Sequence, residues 1–179
     1  MFFIVCVILS FQFQRKNCLN LPEIINLVQS QLNEDTVLKK GVLIDSISIS
    51  LNYYYELNEL NENLDTLFFS NRDIKNLTCQ AKEQLQYQYW HQILGSSSAI
   101  VSDSIIEKEI LNNGWESYRN KYGRGFYSYS FPLLNAKANK AIMIKDYTCG
   151  PFCGFTKILL FVRENNKWIC CKEIIKGKR

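Results

Sequence analysis

Two cysteines enclose Gly150, Pro151 and Phe152, and this short segment holds the residue types best suited to chemistry. Paired cysteines serve three purposes in proteins: they exchange electrons as a dithiol, bind a metal, or close a structural disulfide. Each purpose requires different surroundings. The elements on either side of Cys149 and Cys153 therefore decide between the three.

A redox dithiol places its first cysteine at a helix N-terminus, where the helix dipole lowers the pKa of the thiol. The thioredoxin motif has two residues between its cysteines, whereas Phe152 adds a third here. The nine residues after Cys153 are mostly β-branched and aromatic, which indicates a strand. Without a helix at this point, dithiol chemistry at Cys149 and Cys153 remains an alternative and not the main prediction.

A four-cysteine metal site would also need Cys170 and Cys171. If the chain turns at Asn165-Asn166, Cys170 faces Phe161, which lies eight residues after Cys153 on the same strand. Those eight residues span roughly 26 Å at about 3.3 Å per residue, so the two pairs share neither a metal ion nor a disulfide. We therefore predict a disulfide between Cys149 and Cys153 and no metal.

Other catalytic patterns are missing from the sequence. His91 is the single histidine, and a lone histidine is more often structural than catalytic. Ser96 to Ser98 lack the flanking glycines of a nucleophile elbow, and there is no phosphate-binding glycine loop. We predict no catalytic residues, no cofactor and no enzymatic activity.

The N-terminal segment points to export. Residues 2–13 are apolar except for Ser10 and Gln12. This segment is too short for a membrane-spanning helix, and its length suits the apolar part of a signal peptide. No lysine or arginine precedes it and no small-residue cleavage site follows, so a buried first strand remains an alternative. We interpret residues 1–14 as a signal peptide or short membrane anchor, and residues 19–179 as one domain.

The cysteine count supports a periplasmic, cell-envelope or secreted location, with a cytoplasmic location as the alternative. Seven cysteines are many for 179 residues, and removal of Cys6 with the leader leaves six, an even number. We expect one of the neighbours Cys170 and Cys171 to pack in the core, and the other to pair with Cys79 or stay free. The basic lead-in Arg15-Lys16-Asn17 disfavours lipidation of Cys18.

The charge pattern argues against nucleic acid as a partner. The net charge is +4, and three of the positive charges fall in the last four residues, Lys176 to Arg179. A nucleic-acid binder usually carries a basic stripe across a folded face. We expect a protein or envelope component as partner, and membrane contact only through residues 1–14 if they are retained.

Helical periodicity dominates the first two-thirds of the chain. Asn20 precedes a helix, Ser70 and Asp73 form a capping box for another, and Ser104 caps a third that runs to Leu111. Gly114 interrupts that pattern before an aromatic stripe at helical spacing. The stripe and the tip of the cysteine segment give the candidate binding surface: Trp115, Tyr118, Tyr122 and Phe152.

Strand patterns dominate the rest. Alternation predicts a strand from Ile47 to Tyr55, and residues 64–69 suit a short second one. Four further strands follow at 126–134, 141–148, 156–163 and 168–175, with turns at 135–139, at the cysteine tip and at Asn165-Asn166. Sequential strands with short turns form an antiparallel meander. The predicted fold class is α+β, with helices in the N-terminal two-thirds packed on a C-terminal antiparallel β-meander.

Residues from about 70 to 175 resemble a group of uncharacterised small exported bacterial proteins. In that group a Trp…Tyr segment precedes a Cys-Gly-x-x-Cys-Gly hairpin and a final Lys-Trp strand; the matching stretches here are 114–118, 120–123, 149–154 and 165–168. The pair Cys170-Cys171 departs from the pattern. The resemblance implies the architecture and an exported location, and it implies no activity.

Three functions are consistent with the sequence. The first is a non-enzymatic binding or structural protein of the cell envelope or exterior. The second is a thiol-disulfide or metal-handling protein that uses Cys149 and Cys153. The third is a cytoplasmic immunity-type binding module with reduced cysteines. The number of free thiols in the isolated protein separates them.

Overall fold

The computed structural model describes residues 18–37, 41–47, 68–95 and 99–178. The leader at residues 1–14, Cys6, and most of the predicted strands at 47–55 and 64–69 lie outside these ranges. Four α-helices are described: α1 (Leu21–Val37), α2 (Asn71–Glu83), α3 (His91–Leu94) and α4 (Asp103–Tyr122). A 3-10 turn, Gln84–Gln86, follows α2.

Seven strands in the described part of the chain form one mixed, mostly antiparallel sheet. They are β1 (Val42–Ile44), β2 (Ile100–Val101), β3 (Phe126–Tyr129), β4 (Leu133–Leu134), β5 (Lys140–Gly150), β6 (Cys153–Glu164) and β7 (Lys167–Lys178). The order across the sheet is β2-β1-β3-β5-β6-β7, with β4 also paired to β5. The predicted α+β class is therefore confirmed, with the helices N-terminal to most of the sheet.

The β6–β7 turn sets the register of the last two strands. Asn165 and Asn166 both have positive φ, 48° and 61°, as a two-residue type I′ hairpin turn requires. Glu164 pairs with Lys167, and Phe161 pairs with Cys170, as the turn predicted. Two register shifts then interrupt the pairing, at Leu160/Phe161 and at Thr156/Lys157. In both, the additional residue lies on β7, so both are bulges of the outer strand.

Helices cover both faces of the sheet because its long strands are apolar on both sides. On one face, Ile24, Leu27 and Val28 of α1 pack with Met143, Leu159 and Phe161. On the other face, Leu77 of α2 packs with Ile142, Ile144 and Leu160. The N-terminal end of α1 is tied to the sheet by an ion pair between Glu23 and Arg163, 2.9 Å apart.

Capping at Ser70 is as predicted. The Ser70 hydroxyl accepts a hydrogen bond from the Asp73 amide, and the Asp73 carboxylate accepts one from the Ser70 amide. The third predicted helix, α4, differs from the prediction, because Ser102 and not Ser104 is its N-cap residue. This helix is kinked at Gly114, whose φ of 77° suits glycine, and it then continues to Tyr122.

Two other expectations were wrong. The predicted strand at 126–134 is divided into β3 and β4, because the register with β5 shifts by one residue between the pairs Tyr129–Lys145 and Leu133–Ile142. Pro132, which has no amide hydrogen to donate, lies within this interruption. The short strands β1 and β2 were missed, and β1 pairs in parallel with both β2 and β3. Strands of two or three residues carry too little alternation to be recognised in a sequence.

Candidate functional site

The cysteine tip is the turn of the β5–β6 hairpin. Cys149 and Cys153 form the predicted disulfide, with their Cα atoms 5.0 Å apart. A register shift between Thr148 and Gly150 makes Cys149 a bulged residue, so Gly150 pairs with Cys153. Both cysteines therefore lie on or beside strands, and neither begins a helix.

A close backbone contact fixes the base of the tip. A Cβ atom on Gly154 would lie 2.4 Å from the carbonyl oxygen of Tyr147, so any other residue would force the two strands apart. From the side, the Arg119 guanidinium donates a hydrogen bond of 3.1 Å to the Cys149 carbonyl oxygen. Helix α4, the disulfide and the strand pairing thus hold the tip from three directions.

Phe152 stands at the apex of this turn with 90% of its side chain exposed. Pro151 and Cys153 beside it are also exposed. A phenylalanine normally gains about 1.5–3 kcal/mol by burial, so this exposed ring on a turn closed by a disulfide could gain that energy by contact with a partner.

The aromatic residues of α4 have a different role from Phe152. Tyr118 is fully buried, and its hydroxyl donates a hydrogen bond of 2.9 Å to the Gly125 carbonyl oxygen. Burial, followed by the nearby Tyr147 and Tyr122, raises the pKa of Tyr118 above its usual value. Trp115 and Tyr122 are partly buried and pack against the same cluster. The structure therefore leaves no surface of Tyr118 exposed, and the stripe packs α4 against β1 and β3.

A row of aromatic rings crosses three strands of the sheet beside the tip, and its alignment was not predicted from the sequence. Tyr127, Tyr147 and Phe155 come from three adjacent strands, with centroid separations of 4.7 and 5.3 Å. Burial raises the pKa of Tyr147, while the positive charges of Arg124 and Arg119 act in the opposite direction. The apolar apex is thus flanked by two exposed arginines, Arg119 and Arg124. Only the cross-strand register, which sequence patterns determine weakly here, brings these residues together.

A second disulfide joins Cys18 to Cys79, with their Cα atoms 6.1 Å apart. The predicted alternative of a bond between Cys79 and one of Cys170 and Cys171 was therefore wrong, and the other alternative, that this neighbour stays free, agrees with the structure. Cys170 and Cys171 are the free cysteines among the described residues. Burial raises the pKa of both thiols, which leaves little reactive thiolate at neutral pH. Cys170 packs partly against the core and Cys171 is exposed.

One group of potential metal ligands is present in the described part of the chain. Ligand atoms of Cys18, Cys79 and Glu83 lie within 4.8 Å of one another. The two sulfurs are bonded to each other, and the Glu83 carboxylate accepts hydrogen bonds from the backbone amides of Cys18 and Leu19. All three groups thus have structural partners, which hold the start of the described chain against α2.

His91 has an acidic neighbour. Its Nδ1 lies 2.5 Å from the Asp45 carboxylate, whose other oxygen accepts a hydrogen bond from the His91 backbone amide. The pair joins the start of α3 to the end of β1. Asp45 thus accepts a hydrogen bond from the first amide of α3 and holds this short helix against the end of β1.

Comparison with known proteins assigns no relationship. No protein-family model matches the chain, and no significant match was found among curated proteins or solved structures. Two disulfides are compatible with an oxidising compartment outside the cytoplasm. Within the described ranges, no helix is long and apolar enough to cross a membrane.

Proposed function

We propose that this chain is an exported, non-enzymatic binding protein of the cell envelope or exterior, and that the tip of the β5–β6 hairpin contacts its partner. The observation that carries the proposal is Phe152, 90% exposed at the apex of a turn closed by the Cys149–Cys153 disulfide. A rigid turn loses little conformational entropy on binding, so most of the energy of burying the ring contributes to affinity.

The surroundings of Phe152 indicate the chemistry of the partner. Arg119 and Arg124 are exposed near the tip, and the Arg119 guanidinium already contacts the Cys149 carbonyl oxygen. An apolar centre with a charged rim is the usual composition of a protein interface. The tip therefore suits a partner protein with an apolar pocket bordered by acidic residues.

Binding of labelled protein to intact producing cells and to their envelope fraction tests the tip directly. Phe152→Ser should weaken saturable binding by about 10- to 100-fold, the equivalent of one buried aromatic ring. Leu111→Ser is the matched control, because Leu111 is 83% exposed on α4 and lies outside the tip. Equal binding by both variants and the unmodified protein would exclude the tip as the contact surface.

Thiol counting tests the location. Protein alkylated at the moment of cell lysis and then denatured should expose Cys170 and Cys171, with Cys6 as well if it is retained, and four more thiols after reduction. A cytoplasmic module would show six or seven free thiols before reduction. A tip bond in equilibrium with the cellular thiol pool would instead favour the redox alternative.

A further inference from the structure

A basic cleft lies at the opposite end of the hairpin from the cysteine tip. It consists of two adjoining cavities, of about 440 and 380 Å³, that share Arg72, Asn135 and Ala136. The walls are the first three turns of α2, the β4–β5 turn and the residues around Cys18. Strand β5 runs from Lys140 at this cleft to Gly150 at the tip, roughly 33 Å at about 3.3 Å per residue.

Cationic side chains outnumber acidic ones in this cleft. Arg72 lines both cavities, Lys75 one turn further along α2 lines the larger one, and Lys137 of the β4–β5 turn lines the smaller one. Lys140 also lines the smaller cavity, where its ammonium donates a hydrogen bond to the Phe68 carbonyl oxygen. Arg72, Lys75 and Lys137 are exposed, and none of these three forms an ion pair with an acidic side chain in the described part of the chain. Residues three apart on a helix lie on the same face, so the charges of Arg72 and Lys75 converge.

The single acidic residue among those described as lining the cleft is already satisfied. The Asp73 carboxylate accepts hydrogen bonds from the Ser70 amide and hydroxyl and from the Ala136 amide. Partial burial would raise the pKa of Asp73, but these hydrogen bonds and the charge of Lys140 outweigh it and lower the pKa. Asp73 thus connects α2 to the turn, and the three cations remain for a ligand.

The walls are fixed before any ligand binds. The Asn135 side-chain oxygen accepts hydrogen bonds from the Asn139 and Lys140 amides, which orders the β4–β5 turn. Gln80, which is 1% exposed, donates to the Leu134 carbonyl oxygen and accepts from the Leu134 amide. The Cys18–Cys79 disulfide forms the remaining wall. A preformed cleft of this kind binds without a large ordering cost.

We propose that this cleft binds a small ligand bearing a phosphate or sulfate group, held at Arg72 where the two cavities meet, with Lys75 on the side of the larger cavity and Lys137 on the side of the smaller one. A guanidinium matches two oxygens of a tetrahedral oxyanion, and the ammonium groups neutralise the rest of its charge. The larger cavity has the volume of roughly 15 waters at about 30 Å³ each, which leaves room for a polar body attached to the anion.

Isothermal titration calorimetry of the disulfide-bonded protein at low salt tests this with four probes: sodium pyrophosphate, sodium sulfate, glucose 6-phosphate and glucose. At least one of the oxyanion probes should bind at a single site, and glucose should not bind. The triple variant Arg72→Gln, Lys75→Gln, Lys137→Gln should lose at least about 10-fold in affinity. Circular dichroism would check that this variant, which alters only exposed side chains, is folded.

The matched control removes the same charge at exposed positions outside both the cleft and the tip: Lys108→Gln, Lys167→Gln, Lys172→Gln. It should stay within about threefold of the unmodified protein. An equal loss in both triple variants, or no binding of any oxyanion probe at 10 mM (on the order of the weakest useful affinity), would overturn the proposal. Preference for glucose 6-phosphate or pyrophosphate over sulfate identifies a phosphate ligand, and the reverse identifies a sulfated one.

A second variant tests the disulfide wall. Cys18→Ser with Cys79→Ser should weaken binding, because the residues around Cys18 are no longer held against α2, whereas Cys149→Ser with Cys153→Ser should leave it unchanged. If the two pairs have the same effect, the proposed wall is wrong. The two proposals fail separately. If the unmodified protein binds cells through the tip but binds no oxyanion probe, the cleft proposal is wrong and the tip proposal stands.

Discussion

The two disulfides should differ in their contribution to stability by an amount that follows from chain length. Cys18 and Cys79 are 61 residues apart, and Cys149 and Cys153 are four apart. A cross-link stabilises mainly by restricting the unfolded chain, and the restriction grows with the logarithm of the loop length. With those separations, the loop-entropy relation gives about 4.3 kcal/mol for the long loop and about 1.9 kcal/mol for the short one.

Urea denaturation of two double-serine variants measures this difference. Each variant removes two sulfurs and adds two hydroxyls, so the Cys149/Cys153 pair is the chemical control for the Cys18/Cys79 pair. The expected difference in unfolding free energy is about 2.4 kcal/mol. At a slope of about 2 kcal/mol per molar urea, the long-loop variant should unfold about 1 M earlier.

The comparison holds only if both variants unfold in two states, which coincident fluorescence and circular dichroism transitions would establish. Reduction of the unmodified protein provides a further check, since it should lower stability by about the sum of the two losses. Equal losses in the two variants, or a larger loss at the tip, would refute the loop argument. The tip bond would then act on the folded state, through the geometry around Gly154.

Three further predictions concern single side chains. The backbone φ at Asn166 is 61°, and type I′ turns favour glycine at this position. Asn166→Gly should therefore raise the free energy of unfolding by a few tenths of a kcal/mol, and Asn166→Val should lower it by about 1 kcal/mol. Thermal melting would measure both changes. Gln80→Ala should cost about 2 kcal/mol in urea titration because it leaves the buried Leu134 amide unpaired, and an equally stable variant would contradict the assigned hydrogen bonds. Since the folded pKa of Tyr118 is raised, its contribution to stability is complete below about pH 10, the unfolded value, and is lost as the pH rises above it. Tyr118→Phe should therefore reduce the loss of stability at alkaline pH. Absorbance at 295 nm counts the tyrosines that ionise only when the protein unfolds, and the variant should have one fewer of them than the unmodified protein.

The hairpins of this fold could be predicted from the sequence, because local residues determine them. Asn165-Asn166 fixes the β6–β7 register through its turn geometry, and the turn alone was enough to place Cys170 opposite Phe161. The capping box at Ser70 and Asp73 was equally local. In each case a few adjacent residues carry the whole physical signal.

The Cys18–Cys79 bond could not be predicted in this way. Its two cysteines are brought together by packing between the residues before α1 and helix α2, and no local pattern encodes that contact. The buried state of Tyr118 was equally hidden, because an aromatic stripe has the same spacing whether it faces solvent or core. The basic cleft needs Arg72 and Lys137, 65 positions apart, to face each other across a tertiary contact.

The bulges of β7 bear on how the molecule behaves at high concentration. In the described part of the chain, β7 is the last strand of the sheet, and its outer row of amide and carbonyl groups could template further chains. The two bulges twist that row away from a straight ladder, and Lys167 and Lys172 place charge along it. The chain should accordingly resist fibril growth from this border, and straightening it by deleting the bulged Cys171 should promote aggregation.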